Sequence, residues 1–155
     1  MILKGIIDED FINYRKPSMV LMFPRCDFKC DRECGMQVCQ NSALATAPDI
    51  EVNTDDIIQR YLFNPITQAV VIQGLEPFDT PAQLYLFIDK FREKCDDDIV
   101  IYTGYTKEEV GHLLDKTYKN VIVKYGRYIP GQNQHYDEVL GVYLASDNQY
   151  GEKVG

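Results

Sequence analysis

Residues 69–104, AVVIQGLEPFDTPAQLYLFIDKFREKCDDDIVIYTG, hold two apolar runs of strand length separated by one amphipathic segment of helix length. AVVIQG (69–74) and DIVIYTG (98–104) are rich in Val and Ile and each closes on glycine, the pattern of strands buried on both faces of a sheet. Between them Thr80 stands as a cap and Pro81 at the first helical position, while Leu84, Phe87, Ile88, Phe91 and Cys95 fall at helical spacing. Cys95 is therefore expected as a core thiol. Strand, helix and strand in this order predict a parallel pair joined by a crossover.

The same grammar extends in both directions. SMVLMF (18–23) and VIVKYG (121–126) are further apolar runs, and VLGVYLAS (139–146) holds one last candidate strand. NTDDIIQRYLF (53–63) offers Asn53 or Thr54 as cap, Asp55 and Asp56 in the first turn, a stop at Asn64-Pro65, and Ile57, Ile58, Tyr61 and Leu62 on one face. TKEEVGHLLDK (106–116) carries a capping box in Thr106 and Glu109, then Val110, Leu113 and Leu114 on one side. Repeated strand–helix units predict an α/β fold with mainly parallel strands. A closed eightfold barrel takes about 250 residues, so 155 residues accommodate an incomplete TIM-like β/α barrel or an open sheet, in a single domain over 1–155. In either layout ligands gather at the carboxyl ends of the strands.

Composition narrows the function classes. The net charge of −8 and the absence of a Lys/Arg block argue against nucleic acid as a partner. No apolar run is long enough to span a bilayer, and Asp8, Glu9 and Asp10 interrupt the N-terminal segment, so we expect a cytoplasmic protein without a membrane partner. Eleven tyrosines and seven phenylalanines sit mostly in strand-like runs, where aromatics ordinarily pack. The run Asp96-Asp97-Asp98 is a solvated turn, and no nucleophile elbow or phosphate-binding glycine loop is present.

The chemistry concentrates directly after the first apolar run, in FPRCDFKCDRECGMQVCQNSAL (23–44), where Cys26, Cys30, Cys34 and Cys39 are four of five cysteines in the chain. Clustering with one distant thiol suits a reducing compartment better than a disulfide framework. Four thiolates at these gaps satisfy tetrahedral zinc, although structural zinc sites usually pair two short knuckles across a longer excursion, which is missing here. His112 and His135 are both distant in sequence. Three thiolates would instead hold an iron–sulfur cluster with one open iron.

Cys26-x3-Cys30, followed by a cysteine that precedes Gln40-Asn41, resembles the cluster motif of radical S-adenosylmethionine enzymes, commonly C-x3-C-x2-C and often continued by Gln-Asn or Tyr-Asn. Two positions compete for the third ligand. Cys39 carries the Gln-Asn continuation and aligns best, leaving DRECGMQV as an enlarged turn, whereas Cys34 is followed by Gly35-Met36. The longer loop costs only about 1 kcal/mol more in closure entropy. QGLEPF (73–78) is similar to the Gly-Gly-Glu-Pro motif that holds the amino group of S-adenosylmethionine, with Leu75 in place of the second glycine. IYTGYT (101–106) and LASDNQ (144–149) resemble segments of one branch, the activating proteins of anaerobic ribonucleotide reductase, while KYGRYI (124–129) departs from that branch's aspartate-containing turn.

The resemblance implies a 4Fe-4S cluster on Cys26, Cys30 and Cys39, with Asn41, Gly74, Glu76, Tyr102, Thr103 and Lys124 as cofactor-binding residues. Glu76 is implied as acceptor for the ammonium of S-adenosylmethionine, and Arg127, Asn148 and Gln149 are further candidates for cofactor or partner contacts. It implies no catalytic residue beyond the cluster ligands. The implied reaction is one-electron cleavage of S-adenosylmethionine to a 5′-deoxyadenosyl radical, which takes hydrogen from a glycine Cα of a large glycyl-radical enzyme. A flavodoxin-like or other low-potential donor would supply the electron. Radical chemistry on another peptide or small molecule, and a zinc-stabilised α/β binding module, stand as alternatives.

Overall fold

The computed structural model describes residues 1–25, 44, 46–114 and 117–155. Cys26, Cys30, Cys34, Cys39 and Asn41 lie outside the described residues. A six-stranded sheet runs in the order Tyr150–Lys153 (β10), Val121–Tyr125 (β7), Asp98–Tyr102 (β6), Ala69–Gly74 (β5), Ser18–Phe23 (β3) and Gly5–Asp10 (β2). Its central strands β3 (Ser18–Phe23), β5 (Ala69–Gly74), β6 (Asp98–Tyr102) and β7 (Val121–Tyr125) are all parallel. They are the four apolar runs of the sequence. Two antiparallel strands close the edges, β2 (Gly5–Asp10) against β3 and β10 (Tyr150–Lys153) against β7. β2 and β10 are not paired with each other among the described residues, so the six strands form an open sheet. Two small ribbons form separate sheets packed against it, β1 (Ile2–Leu3) with β4 (Ile50–Glu51), and β8 (His135–Asp137) with β9 (Val142–Leu144).

Alternation along each central strand supplies two cores at once. Met19, Leu21 and Phe23 of β3, Val70 and Ile72 of β5, Ile99 and Ile101 of β6, and Val121, Val123 and Tyr125 of β7 face one cluster. Val20, Ala69, Val71, Val100 and Ile122 face the other. The first cluster is covered by α1 (Thr54–Phe63) through Ile57, Ile58 and Tyr61, and by α2 (Pro81–Arg92) through Leu84, Phe87, Ile88 and Phe91. Tyr61 meets Phe91 edge-on at 5.1 Å, and Phe87 stacks on Phe91 at 5.5 Å. Among the described residues, the second face is covered by Tyr14, from the β2–β3 connection, and by Leu140 and Leu144 of the hairpin region.

Local signals fix most helix ends. Asn53 caps α1 by accepting the N–H groups of Asp55 and Asp56. The capping box forms, yet the helix it starts, α3 (Lys107–Val110), covers one turn and gives way to a 3-10 turn at Gly111–Leu113. Gly111 carries the low helical propensity that limits extension. Leu113 is consequently exposed while Val110 and Leu114 are buried. Thr80 makes no side-chain cap, because a 3-10 turn at Pro77–Asp79 runs straight into α2 and leads its backbone N–H to the Pro77 carbonyl. Leu62 points outward, and Cys95 is half-buried against the rim of the helix-side core. No helix among the described residues is long and apolar enough to cross a membrane.

Candidate functional site

The carboxyl ends of β5, β6 and β7 meet beside a cavity of about 350 Å³. Its lining includes Gly74, Glu76, Tyr102, Thr103 and Lys124, five residues that sequence reading placed on three separate strand ends. The volume falls in the range of about 300–1,000 Å³ typical of small-molecule sites. Arg127 and Gln149 also line it.

Gly74 sets the first wall. Its φ is +97°, and a Cβ there would stand 2.7 Å from the Met22 Cα, so only glycine fits. The turn it permits lets the Leu75 N–H donate to the Phe23 carbonyl at 3.2 Å, and the Glu76 N–H donate to the carbonyl of Arg25. Arg25 immediately precedes Cys26. The chain thus enters the cysteine segment from the end of β3, which is tied to the neighbouring β5 end that carries Glu76.

Glu76 is 5% exposed. Its two carboxylate oxygens accept from the Gly104 N–H at 2.7 Å and the Phe78 N–H at 3.0 Å, while the Thr103 hydroxyl lies 2.9 Å from both. Burial pushes the carboxyl up to about 7, against the opposing pull of these donors. Thr103, 2% exposed, also accepts the Tyr105 N–H at 3.1 Å, and the Tyr105 hydroxyl donates to Asp79 at 2.6 Å. The β5 and β6 turns are therefore laced together twice.

Lys124 brings a cation to the same wall at 7% exposure. Its Nζ donates to the Gly126 carbonyl at 3.0 Å and the Thr103 carbonyl at 3.4 Å, and stands 5.5 Å from the centre of the Tyr102 ring. Such a distance is within cation–π range. The Tyr102 hydroxyl donates to the Asn13 carbonyl, and burial pushes its phenol above the ordinary value. The terminal SDNQ segment braces the β7 exit: Asn148 Nδ2 donates to the Arg127 carbonyl at 2.8 Å, and Gln149 Nε2 to the Gly126 carbonyl at 3.3 Å. Asn148 and Gln149 thus serve the shape of the loop through their side chains.

Ile12, Asn13, Tyr143 and Leu144 also line the cavity, and sequence reading missed all four. Ile12 and Asn13 arrive from the β2–β3 connection with no motif near them, and Tyr143 and Leu144 arrive from β9, where Leu144 opens the LASDNQ segment. Ile12 and Tyr143 are 77% and 66% exposed, and Tyr143 packs edge-on against the exposed Tyr136 at 5.3 Å, so the rim is apolar. Among the described residues no group of three or more His, Cys, Asp or Glu side chains is placed to hold a metal ion. The thiolates fit an iron–sulfur cluster by their donor chemistry, since soft sulfur ligands suit iron–sulfur clusters and zinc alike.

Comparison with protein families finds a match to the model described as a 4Fe-4S single cluster domain, over residues 16–141. No curated protein and no solved structure matches the chain. The matched span begins just before β3 and takes in the cysteine segment, the three α-helices among the described residues, β5 to β8 and the strand ends that line the cavity.

Proposed function

The chain belongs to the 4Fe-4S single cluster domain family and is an iron–sulfur protein; on that premise we propose that it is a radical S-adenosylmethionine enzyme, most simply one that generates a glycyl radical on an anaerobic ribonucleotide reductase. The observation that carries this reading is the tie between Arg25 and Glu76. It joins Arg25, the residue before Cys26, to Glu76 in the wall of a cavity at the carboxyl ends of parallel strands. In this reading the described sheet is part of an incomplete TIM-like β/α barrel.

The cluster would supply the single electron that cleaves the sulfonium. Cys26, Cys30 and Cys39 would hold it, and a flavodoxin-like or other low-potential donor would reduce it. The chain's own residues provide the rest of the site. Lys124 offers a buried cation suited to a ligand carboxylate, held in place by two carbonyls. Gly74 lets backbone and ligand approach closely. The apolar rim at Ile12 and Tyr143 suits a macromolecular substrate and limits access of water to the cavity.

The test is anaerobic reconstitution with iron and sulfide, followed by dithionite and S-adenosylmethionine. We expect a brown protein that forms 5′-deoxyadenosine, retained in Cys34→Ala and lost in Cys39→Ala. A colourless protein holding one stoichiometric zinc, with equal need for all four clustered cysteines, would sink the proposal.

A further inference from the structure

We infer that Glu76 is a positioning residue, a latch whose carboxylate builds the cavity wall and does not itself contact the ligand's ammonium. The inference rests on the reading that the cavity takes S-adenosylmethionine, and it departs from the role that the QGLEPF resemblance implies for this carboxylate.

A carboxylate offers about four lone-pair positions. Two fixed backbone N–H groups, from Phe78 and Gly104, take one on each oxygen at 3.0 and 2.7 Å. The Thr103 hydroxyl, 2.9 Å from both oxygens, occupies the place between them, where a chelated ammonium would sit. The donors come from two different strand ends, so the carboxylate joins the turn after β5 to the turn after β6. Thr103 passes the connection on: its carbonyl accepts from Lys124, and its hydroxyl accepts the Tyr105 N–H. Removing the latch should therefore loosen the wall that orients Lys124.

Glutamine is the diagnostic replacement. In either orientation of the side-chain amide, its NH2 faces one of the two backbone N–H donors, because these bind different oxygens. A latch predicts that Glu76→Gln weakens every ligand of the cavity alike. An ammonium contact predicts a loss confined to ligands that carry the ammonium.

The experiment measures binding of S-adenosylmethionine and of 5′-methylthioadenosine, which lacks the amino-acid portion, to the full chain and its variants. Amide hydrogen exchange at Gly104 and Tyr105 is followed in parallel without ligand. The latch predicts that Glu76→Gln weakens both ligands by the same factor, about tenfold, and accelerates exchange at both amides. Thr103→Val should reproduce these losses, the double variant should add little, and Thr103→Ser should restore affinity and protection. A loss confined to S-adenosylmethionine, with exchange unchanged, would overturn the inference. Wild-type protein that binds neither nucleoside would defeat the proposed function; exchange then decides the latch alone, with faster exchange in Glu76→Gln sustaining it and unchanged exchange refuting it.

Discussion

The two faces of the sheet are built from the same strands and do different work. Among the described residues, the helix-covered face gathers 21 buried apolar residues into one cluster, and the opposite face gathers eight. The larger cluster includes Phe87, Phe91 and Tyr61 in close ring contact. The smaller one lies under a loop and a hairpin, whose residues Asn13 and Leu144 also line the cavity. A face covered by helices can be packed throughout, whereas a face covered by connections leaves room at the strand ends. Apolar packing is thus concentrated on one side, and the cavity adjoins the other.

This division can be broken by substitution. Phe91→Ala, at a fully buried position touching two rings, should cost about 3–5 kcal/mol in denaturant unfolding. Ligand affinity should stay unchanged while the protein remains folded; a parallel loss of affinity would show that the faces are coupled. Titration provides the next largest effect. Glu76 moves from 4.5 unfolded to about 7 folded, because burial outweighs its donors, with the nearby Asp79 carboxylate adding to the rise. The native state then holds this proton more tightly, so the stability that Glu76 contributes is full below about pH 4.5 and is lost as pH rises through 7. The loss is on the order of 3 kcal/mol. Unfolding of wild type and Glu76→Gln across pH 4–8 should show this slope in the first and a flatter profile in the second. An equal slope in both would assign the titration to another group.

Smaller effects sharpen the contrast. Gly74→Ala must accept a positive φ and a Cβ 2.7 Å from Met22 Cα, so about 2 kcal/mol of stability should be lost together with cavity binding. Ile122→Val, on the smaller cluster, should cost about 1 kcal/mol by thermal unfolding. Arg60→Ala removes a half-exposed pair with Asp8 and should cost less than about 1 kcal/mol, vanishing at high salt.

The central strands were legible because burial on both faces leaves a continuous apolar run, as in VIVKY or AVVIQ. The edges were not. β2 reads GIIDED and β10 reads YGEK, strands whose solvent-facing positions erase the signal, and β10 pairs with a partner 25 residues away in register, Tyr150 with Tyr125. Pairing of that kind is set by tertiary contact and has no local signature. That Gly74, Glu76, Tyr102, Thr103 and Lys124 would come together was readable, since each stands at or just beyond the end of a parallel strand. Their internal hydrogen bonding was hidden: nothing in QGLEPF announces that the Thr103 hydroxyl sits against its carboxylate. Ile12, Asn13 and Tyr143 were invisible because they reach the cavity from the β2–β3 connection and from β9, away from the ends of the parallel strands.

The most direct measurement of the central claim is electron paramagnetic resonance of the dithionite-reduced, anaerobically reconstituted full chain, recorded with and without S-adenosylmethionine. An iron–sulfur site opening onto this cavity predicts a reduced 4Fe-4S signal that the ligand changes, with the change weakened in Lys124→Ala. A signal identical with and without S-adenosylmethionine, or a protein carrying zinc and no iron signal, would contradict it.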